Sequence, residues 1–392
     1  MVTTDLPLIH VLCEGGREVA PLLQHMQEFS LQELGNIAWC YGTLQLHDPT
    51  VLDAVASRSA LLLKDPGISE GLDGAHSVAT TILCLVQAFT DLKMSDTVQE
   101  YATALQHLAA EMDEMSTNAM DAEMSPVKEE DDDSSPSVLR ENPHVQLLFK
   151  PPSWVVGGDT PGKARSMARW FQARSSHAIA WDPEADFGFV HRLDRDTSGL
   201  LLCAKTYVGY FAAKFQFNNR RVQKNYIALC QGRFQKAPLT MDFPLRTTEI
   251  APGISRSRVD ENGQTALTEV LKVVHLSDSQ EQAWSLLSLR LHTGRTHQIR
   301  AHCSHMGHPL AGDEAYGGRS PAPCRVFLHA FRLQINLNIS GAAWDIDEES
   351  PLPPDLQEVL EQLQPESSAD SASTLLQSCR DKKIRTRFCR FL

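Results

Sequence analysis

A short charged loop between two apolar runs sets the strongest limits on how this chain can fold. The loop, residues 191–197, reads His-Arg-Leu-Asp-Arg-Asp-Thr; it follows the apolar residues 187–190 and precedes a Ser-Gly pair and the apolar run 200–204. Apolar runs of this length predict buried strands, and the Ser-Gly pair predicts a turn. A carboxylate in such a loop is held by a rigid scaffold and reaches outward. Two arginines flank Asp194 and favour its charged form, so Asp194 is a candidate nucleophile or base.

On its own, the Arg-Leu-Asp-Arg string is typical of a surface ion-pair cluster. The longer string, with Thr-Ser-Gly and an apolar strand after it, resembles the active-site motif of RNA pseudouridine synthases of the RluA type (the RluA/RsuA family). The resemblance implies that Asp194 is the catalytic residue. It also implies that Arg192 helps to hold a nucleotide that has been flipped out of its helix.

Two further strings stand in the family's order after this loop. Residues 224–228, Lys-Asn-Tyr-Ile-Ala, lie in a predicted strand and resemble the second motif, whose tyrosine lies against the target base. A tyrosine has an aromatic ring and a polar tip, which suits that role, and the resemblance assigns it to Tyr226. Residues 327–333 resemble the closing strand, where Leu328 is expected to line the base pocket. Without the neighbouring motifs, Tyr226 would be read as an ordinary buried strand residue.

The string Thr-Gly-Arg-Thr-His-Gln-Ile-Arg, residues 293–300, is followed by Gly-His-Pro, Gly-Asp and Tyr-Gly, and this block resembles the family signature almost residue for residue. The resemblance implies that Arg300 pairs with Asp194, and a fixed guanidinium would hold the carboxylate charged and oriented. Thr296 is expected to cap a helix that begins at His297. Upstream, Lys150-Pro151 match the opening motif Asn-Lys-Pro-x-Gly, although Phe149 replaces its asparagine and Ser153 replaces its glycine.

A metal site is the alternative interpretation of the histidines in this region. His297, His302, His305 and His308 lie close together in the sequence, and three of them recur at three-residue steps. However, the chain has no His-Glu-x-x-His arrangement here, and Gly307 and Pro309 interrupt a helix at the last histidine. We therefore assign these histidines to packing, hydrogen bonding or RNA contact and expect no metal.

Outside the motif region, the chain divides by composition. Residues 1–140 hold 23 acidic and six basic side chains, a net charge of −17, whereas residues 141–392 hold 26 acidic and 30 basic side chains, a net charge of +4. Apolar residues in 1–110 recur at helical spacing and form two helix pairs about 46 residues apart, which predicts either a short array of helical repeats or a plain helical bundle. Acidic, proline-punctuated residues 111–143 are expected to be a disordered linker.

These patterns together predict an α+β protein. We expect an all-α domain over 1–110, the linker over 111–143, a pseudouridine synthase catalytic domain over 144–345 and a C-terminal helix with a basic tail over 346–392. The resemblance implies a central mixed, largely antiparallel sheet in the catalytic domain, which fits the short alternating strands. Nine cysteines without a Cys-x-x-Cys pair fit reduced thiols inside a cell, cytoplasmic or organellar, and no secretory signal or apolar membrane-spanning run is visible.

The function that the resemblance implies is isomerisation of uridine to pseudouridine in rRNA, tRNA or another RNA, without a metal or organic cofactor. Asp194 would act on the sugar, on the base, or as a proton acceptor, and the residues leave these routes open. A non-catalytic RNA-binding or helical-repeat scaffold is the alternative. Asp194, Tyr226 and Arg300 argue against it, because a protein without catalysis has no use for all three. We expect a monomer whose N-terminal helices select the RNA or bind a protein partner.

Overall fold

The structure is a computed structural model, and it describes residues 19–65, 67–119, 135–157, 165–251, 254–322, 325–339 and 341–366. Contacts divide the chain into two compact units. The first, the helical unit, comprises residues 1–122, 206–221 and 337–343, and the second, the sheet unit, comprises residues 123–205, 222–336 and 344–392.

The helical unit contains most of the described helices, and the sheet unit contributes three shorter ones. In chain order they are α1 (Val19–Gln24), α2 (Leu31–Leu44), α3 (Pro49–Leu62), α4 (Gly71–Asp91), α5 (Ser95–Ala119), α6 (Met167–Gln172), α7 (Tyr207–Asn218), α8 (Gln298–His305) and α9 (Pro354–Glu361). Short 3₁₀ turns cover Ala178–Trp181, Asp186–Gly188 and Glu314–Tyr316.

The two predicted helix pairs are confirmed as α2 with α3 and α4 with α5. Local signals explain their bounds, because Ser30 and Glu33 form a capping box at the start of α2, and Asp48 caps α3 ahead of a first-turn proline. Helix α7 comes from between the motifs, yet it belongs to the helical unit. Its first two N–H groups, those of Tyr207 and Val208, donate to the Asp113 carboxylate of α5.

Helix α4 is long and apolar enough to cross a membrane by length and composition alone. However, 56% of its apolar window is buried inside the protein. Leu85 and Phe89 are fully buried, and the Phe89 ring stacks on Tyr101 of α5 at a centroid distance of 6.0 Å. A core helix of this kind has the same composition as a membrane span, so the burial favours the core assignment.

The strands lie mainly in the sheet unit. In chain order they are β1 (Ser137–Glu141), β2 (Val145–Lys150), β3 (Trp154–Val155), β4 (Arg165–Ser166), β5 (Ser198–Ala204), β6 (Gln223–Gln231), β7 (Leu239–Met241), β8 (Leu245–Ala251), β9 (Ile254–Val259), β10 (Thr268–Ser277), β11 (Ala283–Leu291), β12 (Leu328–Ile339), β13 (Ala342–Glu349) and β14 (Gln364–Pro365).

Ten of these strands form one sheet in the order β1-β2-β5-β12-β6-β11-β10-β14, with β13 beside β12 and β7 beside β10. The β5–β12 pair is parallel, whereas the neighbouring β2–β5 and β12–β6 pairs are antiparallel, which confirms the predicted mixed, largely antiparallel sheet. Gly199 is required at the parallel contact. Its φ is +124°, and a Cβ there would lie 2.2 Å from the Ala330 carbonyl oxygen.

The sheet has an apolar cluster on each face, because alternate residues of a strand point to opposite sides. On β6, Tyr226 and Ala228 belong to one cluster, and Ile227 and Leu229 belong to the other. The first cluster includes the buried side chains around the charged loop. The second is covered by α9, and its members from the C-terminal segment are Leu352, Leu356, Val359, Leu360 and Leu363.

The structure corrects the predicted linker at both ends. Helix α5 continues to Ala119, because Met112 and Ser116 still bury their side chains on its inner face. Strand β1 begins at Ser137, since its backbone pairs with β2 although its side chains are exposed. Residues 120–134, which hold the acidic run, and the basic tail at 380–387 lie outside the described residues.

At the opening motif, Ser153 replaces the family's glycine and has a φ of +67°. Glycine adopts this left-handed conformation at little cost, so a backbone that suits the family's glycine is here adopted by a serine.

Candidate active site

The charged loop lies at the entrance to β5 and is closed by a tight turn. The N–H group of Thr197 donates to the Asp194 carbonyl oxygen over 3.1 Å. Behind the turn, the Lys150 ammonium is fully buried and donates to the carbonyl oxygens of Arg195 and Thr197 over 2.9 and 2.8 Å. Burial, reinforced by the charge of Arg325, lowers the pKa of Lys150 to about 7. Lys150, the last residue of β2, therefore fixes the backbone of the loop that carries Asp194.

The second element of the site is the segment 293–300, which leads from β11 into α8. The predicted cap is wrong: the helix begins at Gln298, with His297 as its N-cap residue and no side-chain cap. His297 has a φ of +52°, which a helical position does not allow. The Gln298 side chain organises the turn instead. Its Oε1 accepts from the Thr293 hydroxyl and the Arg295 N–H, and its Nε2 donates to the Leu267 carbonyl oxygen.

Arg300 and Asp194 meet where these two elements converge. The distance from Arg300 Nη1 to Asp194 Oδ2 is 3.5 Å, as the resemblance implied. The other edge of the guanidinium is bound to Asp313, with Nε to Oδ2 and Nη2 to Oδ1 both at 2.8 Å, and Asp313 is fully buried. Burial lowers the pKa of Arg300, but the hydrogen bonds and charge of Asp313, with the charge of Asp194, raise it overall. Arg300 is thus a fixed positive charge beside Asp194.

Tyr226 and Leu328 lie in the apolar cluster on the same side of the sheet as Leu193. Both side chains are buried. In the sheet register, Tyr226 pairs with Leu289 of β11 on one side and with Ala330 of β12 on the other. Burial, and then the negative charge of Asp194, raises the pKa of the Tyr226 hydroxyl, so this group stays protonated. An apolar surface with one neutral hydroxyl therefore lies within electrostatic reach of the carboxylate.

His297 and Arg192 lie at the outer side of the carboxylate. His297 Nε2 is 3.9 Å from Asp194 Oδ2, and its Nδ1 is 3.2 Å from the Tyr316 hydroxyl. Burial lowers the pKa of His297, and the positive charges of Arg300 and Arg192 add to this effect against the opposing charge of Asp194. The imidazole is therefore neutral near pH 7. Arg192 itself is exposed and close enough for its charge to act on His297.

The four histidines of the alternative metal interpretation contact other residues of the protein. His302 contacts the Thr268 hydroxyl and the Phe243 carbonyl oxygen, whereas His308 contacts the Gln231 carbonyl oxygen, and the His305 ring packs on Phe243. In the part of the chain that the structure describes, no three His, Cys, Asp or Glu side chains are grouped to hold a metal ion.

A comparison with family models matches residues 145–305 to the RNA pseudouridylate synthase family. Ribosomal large subunit pseudouridine synthase D of Nitrosomonas europaea is 36% identical over 235 residues, which are 57% of this chain and 64% of that protein. The uncharacterised RNA pseudouridine synthase YhcT of Bacillus subtilis is 32% identical over 220 residues, which are 56% of this chain and 70% of that protein. The chain belongs to the RNA pseudouridine synthase family.

Membership in the RNA pseudouridine synthases confirms the resemblance to the RluA type. The chain spans 64% of the length of the Nitrosomonas relative and 58% of ribosomal large subunit pseudouridine synthase C of Pasteurella multocida. Among solved structures, human RNA pseudouridylate synthase domain containing 1 is 24% identical with a TM-score of 0.47, covering 65% of this chain and 99% of its own. The family match includes Arg192, Asp194, Tyr226 and Arg300, and Leu328 lies beyond it.

Reasoning from the sequence missed three residues that shape this candidate site. Asp313 fixes Arg300, Lys150 holds the loop, and His297 flanks the carboxylate. Each stands inside a quoted motif, so the signal was present, but no role followed from it. The contacts that define the roles join residues far apart in the sequence, and local patterns do not contain them.

Proposed function

We propose that this chain isomerises uridine to pseudouridine in RNA, with Asp194 as the catalytic residue. The reaction breaks the bond between N1 of uracil and C1′ of the ribose and forms a bond from C5 to C1′. The proton on C5 is lost and N1 gains one, so the atoms and electrons balance without an oxidant or co-substrate. A carboxylate that acts on the sugar or the base, or accepts the proton, is sufficient for such chemistry.

The observation that carries the proposal is the Asp194–Arg300 contact of 3.5 Å, with Arg300 held in turn by the buried Asp313. A surface ion pair would leave both side chains mobile, whereas here the guanidinium is 11% exposed and the carboxylate 20% exposed. A fixed partner keeps the Asp194 carboxylate oriented through the reaction, which is the condition for efficient positioning.

The other proposed roles follow from burial and exposure. Tyr226 and Leu328 provide a buried apolar surface against which a detached uracil can be held. Arg192 is exposed beside the site, so its guanidinium can hold the nucleotide after it has been flipped out of its helix. Reaching a base inside a duplex requires such a flip, since C1′ is otherwise covered by stacked neighbours.

The proposed substrate is structured RNA, with rRNA as the first candidate and tRNA as the second. Two relatives are named as ribosomal large subunit pseudouridine synthases, which supports the choice of rRNA. Residues 141–392 carry a net positive charge, which suits a polyanion, whereas the acidic helical unit suits RNA selection through shape or a protein partner. We further propose an intracellular monomer with domains at the boundaries given by the sequence, as corrected for α5 and β1 and with segments 206–221 and 337–343 assigned to the helical unit.

The test is to incubate the protein with rRNA and tRNA fractions that lack pseudouridine and to map new pseudouridines. Wild type is expected to convert defined uridines. Asp194→Asn should lower the rate by at least about 10³-fold, because asparagine has nearly the same shape as aspartate but lacks the reacting carboxylate. Asp196→Asn is the matched control, since that carboxylate lies in the same loop but pairs with its neighbour Arg195 on the surface.

The possible outcomes distinguish the proposed enzyme from a non-catalytic scaffold and test the role of Asp194. Conversion by wild type and by Asp196→Asn, with none by Asp194→Asn, supports the enzyme and names its substrate. RNA binding by wild type without conversion of any fraction would favour the scaffold. Equal conversion by all three proteins would show that the Asp194 carboxylate is not needed for the reaction.

A further inference from the structure

Three successive backbone carbonyl groups behind Asp194 are each bound by a cationic side chain. Lys150 donates to those of Arg195 and Thr197, as described above, and Arg325 Nη1 donates to that of Asp196 over 2.8 Å. Neither cation touches the Asp194 carboxylate through a hydrogen bond. Both therefore act on the backbone of the turn that carries it, and the role of Arg325 extends beyond the turn.

Arg325 uses each guanidinium nitrogen for a different partner. Nη1 reaches the Asp196 carbonyl oxygen, Nη2 donates to the Ser198 hydroxyl over 2.8 Å, and Nε donates to Asp355 Oδ2 over 2.8 Å. A planar guanidinium bound at three corners has little freedom to rotate or translate. The Arg325 side chain is 12% exposed and the Asp355 side chain is 46% exposed, so the pair reaches from the solvent into the turn.

Asp355 lies in the first turn of α9, on the face of the sheet opposite to Tyr226. Leu356 and Leu360 of this helix are fully buried in the second apolar cluster, which anchors α9 to the sheet. A parallel link runs through His329, whose ring nitrogens contact the Ser198 hydroxyl and the Ser350 carbonyl oxygen, both at 2.9 Å. The segment 350–363 is therefore connected by two routes to the end of the turn.

We propose that Arg325 and Asp355 are positioning residues for Asp194, so that the C-terminal helix α9 forms part of the catalytic apparatus. This inference rests on the proposed function. Asp194 and Arg300 belong to different elements, the turn before β5 and helix α8, so their separation depends on where the turn is held. A displacement of about 1 Å at a reacting group can cost about 100-fold in rate.

The protein offers a matched control for this pair. Arg332 Nε and Nη2 donate to the two carboxylate oxygens of Asp347 over 2.7 and 2.8 Å. The side-chain exposures are 14% and 38%, close to those of Arg325 and Asp355. This second pair joins β12 to β13, and neither of its residues lies in the turn at 194–198. Variants of this second pair therefore measure the effect of losing a half-exposed ion pair. Any additional effect in variants of Arg325 or Asp355 reports on the position of the turn.

The experiment compares Arg325→Lys with Arg332→Lys, and Asp355→Ala with Asp347→Ala. Single-turnover rate, KM for the RNA that the mapping experiment identifies, and melting temperature are measured for each protein. Hydrogen exchange of the amides at 194–198 provides a readout that does not depend on catalysis. Lysine keeps the charge but lacks the three-cornered fork, so we expect the rate of Arg325→Lys to fall at least about tenfold.

Asp355→Ala should lose about threefold or more in rate, since Arg325 keeps its contacts to the turn but loses its anchor. KM should stay within twofold of wild type, exchange at 194–198 should quicken, and both control variants should match wild type in rate and exchange. Rates and exchange equal to those of the controls would overturn the inference. If wild type itself converts no RNA, the proposed function fails, and the exchange data alone still decide whether Arg325 and Asp355 hold the turn.

Discussion

Arg300 is bound to Asp313 by two hydrogen bonds of 2.8 Å, and only its remaining edge faces Asp194, at 3.5 Å. The guanidinium is therefore oriented by its two hydrogen bonds to Asp313, and not by Asp194, the proposed catalytic carboxylate. Asp313 follows the Gly-His-Pro turn and is fully buried. Its carboxylate offsets a charge that would otherwise be costly inside the protein.

Asp313→Asn should impair both the rate and the stability. It replaces one acceptor of the bidentate pair by an NH₂ group and removes the compensating charge, so we expect kcat to fall about 10- to 100-fold. The free energy of unfolding should fall by about 3 kcal/mol, because the variant leaves Arg300 buried without its partner. Single-turnover kinetics and denaturant unfolding measure the two effects. Asp260→Asn, in the more exposed Arg246–Asp260 pair, is the control and should change neither. If the Asp313→Asn variant is destabilised but has a normal kcat, Asp313 stabilises the fold and has no role in positioning Arg300 for catalysis.

Lys150 predicts a pH dependence of stability. Its pKa is lowered to about 7 in the folded protein, from an ordinary value of 10.5, mainly by burial. Between these two values the unfolded chain binds more protons than the folded one, so the free energy of unfolding must rise with pH across that window. Below pH 7 the lysine is protonated in both states and its burial penalty is felt in full.

The measurement is the difference in unfolding free energy between wild type and Lys150→Met at pH 7 and at pH 9. Groups common to both proteins cancel, and the difference should move by about 2 kcal/mol in favour of wild type at the higher pH. Lys150→Gln, which keeps an N–H donor but does not titrate, replaces the Met variant if that variant does not fold. Parallel pH profiles for wild type and the variant would contradict the lowered pKa.

Asp113 predicts a stability effect in the helical unit. Its carboxylate accepts from the N–H groups of Tyr207 and Val208 over 2.7 and 3.1 Å and thereby caps α7 from another helix. Asp113→Ala should lower the free energy of unfolding by about 1–2 kcal/mol, the usual effect of losing an N-terminal cap near the positive end of a helix dipole. Glu114→Ala changes an exposed carboxylate of the same helix and should have little effect. Equal melting temperatures for the two variants would show that water replaces the cap.

Much of the site could be read from the sequence because its parts are local. The charged loop before an apolar strand predicted Asp194 at a strand entrance, the alternating residues around Tyr226 predicted a buried strand, and the Gln-Ile-Arg string predicted a helix carrying Arg300. Periodicity also predicted the N-terminal helices, since an apolar stripe at helical spacing needs no knowledge of its partner.

The sequence predicted less accurately those segments whose structure depends on a partner distant in the chain. Residues 111–119 look like linker by composition, but one face of α5 is buried there. Helix α7 was expected within the catalytic domain, whereas its cap and contacts belong to the helical unit. At residues 111–119 a polar local pattern was outweighed by burial of one helix face. For α7 the apolar pattern predicts a helix but does not show that it packs against a helix about 90 positions away.

Runs of neighbouring residues specify which residue types stand at the strand entrance, on the strands and on the helix, because each motif is a run with a fixed periodicity. Which of these residues touch depends on how the folded elements are arranged. The contacts of Arg300 with Asp313, and of Arg325 with Asp196, Ser198 and Asp355, join separate elements, and the direction of each guanidinium follows from the packing of the sheet and its covering helices. Hydrogen-bond geometry is set by the positions of whole elements, and no local pattern encodes it.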